Sequence, residues 1–236
     1  RRTVRMRMLN LGVKLSEIAQ HRWRAAVLGG ALVLLAGCQT TSLSNSDNED
    51  PYQQSGVQAT MLQAGREAEN SSKYETAAGI YGHLFEVRPD DGDVLTAFIR
   101  NMRYSGRARE IVGYVETQTP HMLEDQTIKF EYAKALLAAG RKVDSLNTLK
   151  QLRSQMPGQW RVYSAIGIAA DSLQKYGEAM EAYQMALKIS PNNEVVMNNM
   201  AMSQASSGHL SQAIDTLERA AGINRTNPHI RQNLAL

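Results

Sequence analysis

The chain has 236 residues, 26 Lys and Arg against 23 Asp and Glu, and a single cysteine. One thiol cannot form an intramolecular disulfide, and a structural zinc site needs more cysteine or clustered histidine than this chain offers. Seven of the basic residues and one acidic residue lie within residues 1–37, so the remainder has 19 basic against 22 acidic residues. Its net charge of −3 argues against nucleic-acid binding.

The N-terminal segment, residues 1–37, has the layout of a secretory signal. Lys14, Arg22 and Arg24 precede an apolar run, residues 25–35, which is followed by two small residues. The run is shorter than the ~20 apolar residues that a membrane-spanning helix needs. We therefore predict that residues 1–37 are a signal peptide.

Cys38 closes this segment in the order Leu35-Ala36-Gly37-Cys38. The four residues resemble the lipobox of bacterial lipoproteins, in which the signal is cut before the cysteine and the cysteine is acylated. The resemblance implies a covalent lipid on Cys38, no other cofactor, and stable attachment to a membrane. Because Gln39 follows instead of aspartate, it also implies the periplasmic face of the outer membrane. The alternatives are a buried cysteine and an ordinary signal peptide in which the cysteine is incidental.

Residues 38–57 are predicted to form a flexible tether behind the lipidated cysteine. The stretch from Gln39 to Pro51 is polar and nearly free of bulky apolar side chains. Burial therefore cannot offset the conformational entropy that this stretch would lose on folding.

From about Gln58 onward, the chain repeats with a period of 34 residues. Turn residues recur at multiples of this period, namely Pro89, Pro157 and Pro191, and Gly106, Gly140 and Gly208. Between them lie two amphipathic segments per period, which predict a helical hairpin. In the clearest unit the positions of one apolar face are Tyr163, Ile166, Gly167 and Ala170 in the first helix, and Ala179, Tyr183 and Ala186 in the second. An ordinary helical bundle with chance periodicity is the alternative.

These features resemble the tetratricopeptide-repeat family, and the resemblance implies an all-α, right-handed solenoid of helical hairpins. The predicted repeats are 58–91, 92–125, 126–159, 160–193 and 194–227, followed by the start of a sixth, incomplete repeat at 228–236. In the second repeat, Pro120 comes three positions early, so its second helix is predicted to end early. We interpret the stop at Leu236 as the end of a fragment, with a short cap as the alternative.

The sequence predicts a protein without catalytic chemistry. Outside the signal, the histidines His83, His121, His209 and His229 are scattered over separate repeats, without metal-binding spacing. Phosphate-binding loops, dinucleotide fingerprints and nucleophile elbows are not found in the sequence.

In the tetratricopeptide family, first-helix positions 2, 5, 9, 12 and 13 face a groove that receives a peptide or helix. The corresponding residues are Thr96, Arg100, Arg103 and Tyr104 in the second repeat, Phe130, Lys134 and Leu137 in the third, Arg161, Ser164, Ile168 and Asp171 in the fourth, and Val195, Asn198 and Met202 in the fifth. The candidate partner-binding residues chosen from them are Arg100, Arg103, Tyr104, Phe130, Lys134, Leu137, Ile168, Asn198 and Met202.

This set predicts a basic N-terminal portion beside an apolar strip, which suits an amphipathic protein segment with some acidic residues. Burial of Phe130 and Leu137 in the core between repeats is the alternative for those two residues. We expect charge reversal at Arg100 and Arg103 to weaken partner capture without lowering the melting temperature.

The whole chain, most specifically residues 227–236, resembles the TadD-like lipoproteins of the tight-adherence (Flp) pilus system. The resemblance implies a pilotin-like factor whose protein partner is the outer-membrane secretin or another pilus assembly component. One alternative is a general periplasmic scaffold lipoprotein, which acts in β-barrel assembly or as an adaptor for peptidoglycan hydrolases. Another is an enzyme subunit whose active site lies outside this chain.

Overall fold

The computed structural model describes residues 51–235, and side chains from residue 56 onward. The predicted signal peptide, Cys38 and the tether up to residue 50 lie outside the described residues. Within them, eleven α-helices and one 3-10 helix follow one another, so the all-α prediction is confirmed for this part of the chain.

The helices alternate between a first and a second helix of successive hairpins. The first helices are α1 (Pro51–Asn70), α3 (Gly92–Tyr104), α5 (Gln126–Ala138), α7 (Trp160–Ser172), α9 (Glu194–Ser206) and α11 (Pro228–Leu234). The second helices are α2 (Tyr74–Val87), α4 (Ala108–Gln118), α6 (Lys142–Gln155), α8 (Tyr176–Ile189) and α10 (Leu210–Ile223), and the 3-10 helix spans Pro120–Glu124. From α2 onward, helices of each kind begin 34 residues apart, which is the period seen in the sequence.

Asparagine and aspartate fix where most of the first helices begin. Asp91, Asp125, Asn193 and Asn227 each stand immediately before a first helix and accept hydrogen bonds from its free backbone N–H groups. Gln159, at the equivalent place before α7, makes no such bond. The caps therefore hold the 34-residue register in every junction from the second repeat onward except the one before α7.

The turn inside each hairpin requires one residue with left-handed backbone. Gly106, Gly140 and Gly208 occupy this position with φ between 81° and 88°. Ser72 and Gln174 adopt it at φ 55° and 58° in the first and fourth repeats, where glycine is absent. The left-handed turn is thus present in all five hairpins, although glycine occupies it in only three of them.

In four of the five hairpins, the size of one residue on the first helix matches the size of its neighbour on the second. A Cβ on Gly65 or Gly167 would lie 3.0 Å or less from the ring of Tyr81 or Tyr183, respectively. In the third and fifth repeats, a larger first residue faces a smaller second one at the same two positions, in the buried pairs Ala133 with Leu149 and Ala201 with Leu217. In these four hairpins, close packing pairs either glycine with tyrosine or alanine with leucine, whereas the second hairpin, with its short α4, holds buried Ile99 and Val115 at the two positions.

The structure departs from the predicted boundaries at the first hairpin. Helix α1 begins at Pro51, so its backbone is helical over 51–57, which the sequence assigned to the tether.

The second hairpin is also atypical. Its second helix, α4, has 11 residues, whereas the other second helices have 14. The chain then passes through the 3-10 helix that Pro120 begins. The early end predicted from Pro120 is therefore seen, and α4 packs less extensively on α3 than the second helix does in the other hairpins.

Candidate functional site

The first helices from α3 to α11 pack side by side in chain order and together form one surface, which we call the first-helix surface. All nine candidate partner-binding residues lie on α3, α5, α7 or α9. Their surroundings differ sharply between the half formed by α3 and α5 and the half formed by α7 and α9.

In the first half, the two arginines are already paired within the chain. Arg100 Nη1 lies 3.2 Å from Glu69 Oε1, and Arg103 Nη2 lies 3.5 Å from Glu131 Oε2. The Arg103 side chain is only 14% exposed, and its guanidinium also stacks on the ring of Tyr104 at 4.1 Å from the centroid. Both arginines therefore hold neighbouring helices together as well as contributing positive charge.

Tyr104 remains half-exposed at the edge of this half. Its ring packs against Tyr74 of α2, with 4.8 Å between the ring centroids. Tyr104 is therefore the most accessible of the candidate residues in this half, but its orientation is fixed by contacts on two sides.

The remaining candidates of this half, all on α5, are partly buried. Lys134 Nζ lies 2.8 Å from Glu131 Oε1 and 5.1 Å from the ring centroid of Phe130. Phe130 and Leu137 pack against the core that α6, α7 and α8 share with α5. Phe130 and Leu137 therefore lean toward the core between repeats, which is the alternative that the sequence left open for them.

The short helix α4 accounts for the burial of charged side chains between α3 and α5. Because α4 contacts α3 less, α5 packs on α3 more extensively than α5 does on α7 or α7 does on α9. The close approach buries Arg103 and Glu131 between the two helices. Reversing the charge of Arg103 would place two carboxylates together in a poorly solvated position, so we expect this change to lower the melting temperature, contrary to the expectation from the sequence.

The second half exposes apolar side chains. Ile168 on α7 is 41% exposed, and Val195 and Met202 on α9 are 48% and 38% exposed. Val195 and Met202 are seven residues apart and share one face of α9. Ile168 occupies the position of Met202 one repeat earlier, and α7 packs against α9. The three side chains therefore lie on neighbouring helices on the first-helix surface.

Arg161 completes this arrangement, because it stands seven residues before Ile168 and occupies the position of Val195 one repeat earlier. We call these four residues, Arg161, Ile168, Val195 and Met202, the α7–α9 patch. With 1.5 Å per helical residue and 8–10 Å between packed helices, the patch measures about 10 Å in each direction. The sequence placed Arg161 and Val195 on the groove but did not select them; their seven-residue spacing to Ile168 and Met202 is the signal that identifies them.

Asn198, the last candidate residue, lies between Val195 and Met202 but faces the next helix. Its Oδ1 accepts a hydrogen bond of 2.8 Å from Asn233 Nδ2 on α11. Asn198 therefore joins two first helices in the structure.

Two carboxylates on the first helices serve the junctions between repeats. Glu69 accepts hydrogen bonds from Tyr81 and from Asn101 of the next repeat, at 3.0 and 2.9 Å. Asp171 accepts equivalent bonds from Tyr183 and Ser203, at 2.8 and 2.6 Å. Asp171, which the sequence placed on the groove, therefore links the fourth and fifth repeats through these hydrogen bonds.

The tyrosines of both networks are held in the neutral form. Burial, then the hydrogen bond to Glu69, raises the pKa of Tyr81 to about 12. Burial, then the charge of Asp171, also raises the pKa of Tyr183. Both phenols therefore act as permanent hydrogen-bond donors at neutral pH.

Neither a metal-binding cluster nor a membrane-spanning helix is found among the described residues. No group of three or more His, Cys, Asp or Glu among residues 51–235 is arranged to hold a metal ion. In the same part of the chain, every helix is too short or too polar to cross a membrane.

Comparison with known proteins finds similarity to tetratricopeptide-repeat proteins. The tetratricopeptide repeat family profile matches residues 172–236. A small glutamine-rich tetratricopeptide repeat-containing protein 2 of Mycosarcoma maydis is 36% identical over 92 residues, which are 38% of this chain and 26% of that protein. The photosystem I assembly protein Ycf3 of Prochlorococcus marinus (strain MIT 9303) is 35% identical over 78 residues, 32% of this chain and 45% of its own length. This chain thus spans less than half of the length of these relatives.

Solved structures show the same fold over most of the chain. A thermophilic tetratricopeptide-repeat protein of Thermus thermophilus superposes with a TM-score of 0.67 at 16% identity, covering 75% of this chain and 97% of that one. MamA of Desulfovibrio magneticus RS-1 gives a TM-score of 0.56 at 14% identity, covering 72% and 97%. The tetratricopeptide-repeat fold predicted from the 34-residue period is therefore confirmed.

Proposed function

We propose that this protein is a binding scaffold that holds a segment of a client protein on its first-helix surface, at the α7–α9 patch. The exposure of Ile168, Val195 and Met202 on two adjacent helices supports this most directly. Accessible apolar side chains on one surface provide anchors that a protein ligand can cover. A surface lined by helices suits a helical or extended segment with apolar anchors.

We further propose that the scaffold works in the cell envelope of a Gram-negative bacterium, anchored to the periplasmic face of the outer membrane through a lipid on Cys38. The order Leu35-Ala36-Gly37-Cys38 after a basic and apolar segment supports this location. The resemblance to tight-adherence pilus lipoproteins supports the secretin as client and a pilotin-like role in its assembly or localisation. A general periplasmic scaffold is the second candidate, because exposed apolar side chains alone do not single out one client protein.

Site-specific photo-crosslinking in the native bacterium tests the proposal. A photoreactive amino acid at Met202 of the full-length chain is expected to crosslink the client, and the crosslink is expected to disappear when Ile168→Ser is added. The matched control carries the photoreactive residue at Val143, which is 57% exposed on the second helix α6.

The identity of the crosslinked protein separates the two candidate functions. A crosslink to the secretin, together with loss of secretin multimers in the Ile168→Ser strain, supports the pilotin-like role. A crosslink to another envelope protein that still depends on Ile168 supports the general scaffold. Equal crosslinking from Met202 and Val143, or none that depends on Ile168, refutes client binding at the patch.

A further inference from the structure

The positive residues of the first-helix surface differ in whether the chain already pairs them. Arg100, Arg103 and Lys134 form ion pairs with Glu69 or Glu131. Arg161 is exposed and forms no ion pair with a described residue; its guanidinium stacks on the ring of Trp160, 4.8 Å from the centroid. Of these four residues, Arg161 in the α7–α9 patch is therefore the one whose charge is available to a partner.

We propose that the segment bound at this patch carries a carboxylate that pairs with Arg161, beside two or more large apolar side chains that cover Ile168, Val195 and Met202. This inference rests on the proposed function and specifies the chemistry of the client. The stacked guanidinium keeps a planar set of donors in place, which suits a carboxylate.

The arrangement also fixes where on the surface the carboxylate of the bound segment lies. Arg161 lies in the first turn of α7, and Ile168 and Met202 lie about 10 Å further along their helices. The carboxylate of the client therefore lies at the first turns of α7 and α9, next to the apolar side chain that covers Val195, and the side chains that cover Ile168 and Met202 lie toward the C-terminal ends of these helices. About two helical turns, or four to five extended residues, span this distance.

Selection from a phage-displayed library of random 12-residue peptides tests this chemistry without requiring that the client be identified. The target is the full chain purified in detergent, and clones that also bind the Ile168→Ser/Met202→Ser double variant are discarded. The wild-type protein is expected to select peptides with at least two large apolar residues and an Asp or Glu within a few residues of them.

Charge reversal at one position then identifies the residue that reads the carboxylate. The Arg161→Glu variant is expected to select Lys or Arg in place of Asp or Glu, with the apolar pattern unchanged. As matched control, Arg109→Glu reverses an exposed arginine on the second helix α4 and is expected to leave the acidic preference intact. For individual wild-type clones, Arg161→Gln is expected to weaken binding about two- to fivefold, the usual effect of one exposed ion pair, and less at high salt.

Failure of the inference and failure of the proposed function give different results. Apolar peptides without charge preference, selected equally by the wild type and by Arg161→Glu, overturn the carboxylate inference and leave the binding function standing. If no clone depends on Ile168 and Met202, the patch does not bind peptides, and both proposals fall.

Discussion

A methyl group added at Gly167 is expected to destabilise the fourth hairpin. In Gly167→Ala, the new Cβ would lie 2.5 Å from Cε1, 2.6 Å from Cζ and 2.8 Å from Cδ1 of Tyr183. The ring cannot withdraw easily, because it is 1% exposed and its hydroxyl donates a hydrogen bond of 2.8 Å to Asp171. Either the ring or the helix α7 must therefore move.

The net effect is the difference between two opposing contributions. Overpacking a close-packed interior costs about 1–3 kcal/mol, and the higher helix propensity of alanine returns about 0.5–1 kcal/mol. Because all three ring atoms would lie closer than real Cβ contacts allow, the upper part of the first range applies, so we expect a loss of about 1–2 kcal/mol in the free energy of unfolding. In a domain of this size, this corresponds to a melting temperature lower by about 2–8 °C.

Urea unfolding followed by circular dichroism measures this change, and Gly79→Ala is the matched control. Gly79 lies on the exposed side of α2, and a Cβ there meets no atom within 4 Å. The control is therefore expected to gain about 0.4–1 kcal/mol. If Gly167→Ala is as stable as Gly79→Ala, close packing against Tyr183 does not limit this position, and the size-matching argument is wrong.

The third and fifth repeats suggest the compensating change, because they hold alanine and leucine at these two positions. In Gly167→Ala/Tyr183→Leu, the clash is removed, so the double variant is expected to be more stable than the sum of the two single effects by about 1 kcal/mol or more. Additive effects would show that the two residues do not constrain each other.

Two more predictions concern the helix caps and the pH dependence of stability. Asn193→Ala removes the side chain that accepts from Val196 N and is expected to cost about 0.5–2 kcal/mol in urea unfolding, whereas Gln159→Ala, at the equivalent uncapped position, is expected to be near neutral; equal losses would refute the capping argument. The hydrogen bond from Tyr132, followed by that from Arg141, holds the pKa of Glu116 below its usual value. Because a depressed folded pKa gives stability above the unfolded pKa, this contribution is lost as the pH falls from about 4.5 through the folded pKa. Thermal unfolding from pH 7 to pH 3 is expected to show a smaller acid-induced loss in Glu116→Gln than in the wild type, and parallel curves would contradict this.

The fold was readable from the sequence because each repeat restates the same local information. The spacing of Gly106, Gly140 and Gly208 marked the turns, and those glycines indeed hold the left-handed backbone. A further signal went unused: Asp91, Asp125, Asn193 and Asn227 stand in one 34-residue register, each immediately before a first helix. Local capping and turn chemistry are encoded in a few neighbouring residues, which is why such positions are predictable.

The candidate site was harder to predict, because the exposure of a groove residue depends on how closely two repeats approach. Arg103 occupies a groove position by count, but the short helix α4 lets α5 pack closely on α3, and most of the Arg103 side chain is buried. Phe130 also occupies a groove position, but it packs against the core that α5 shares with α6, α7 and α8. The ion pair between Arg103 and Glu131 could not be predicted from the sequence either, since the two residues come from different repeats. Position within the repeat predicted which face a side chain is on, but not whether a partner can reach it.

The small size of the α7–α9 patch has a consequence for the lifetime of any complex formed there. A surface of about 10 Å by 10 Å falls well below the roughly 1,200 Å² that stable protein interfaces bury, so we expect affinity in the micromolar range. With ordinary association rates, a dissociation constant of about 1 μM gives a residence time of roughly 0.1–10 s. A segment bound at the proposed patch is therefore expected to dissociate within seconds, so that one copy of the protein can bind many partner molecules in succession.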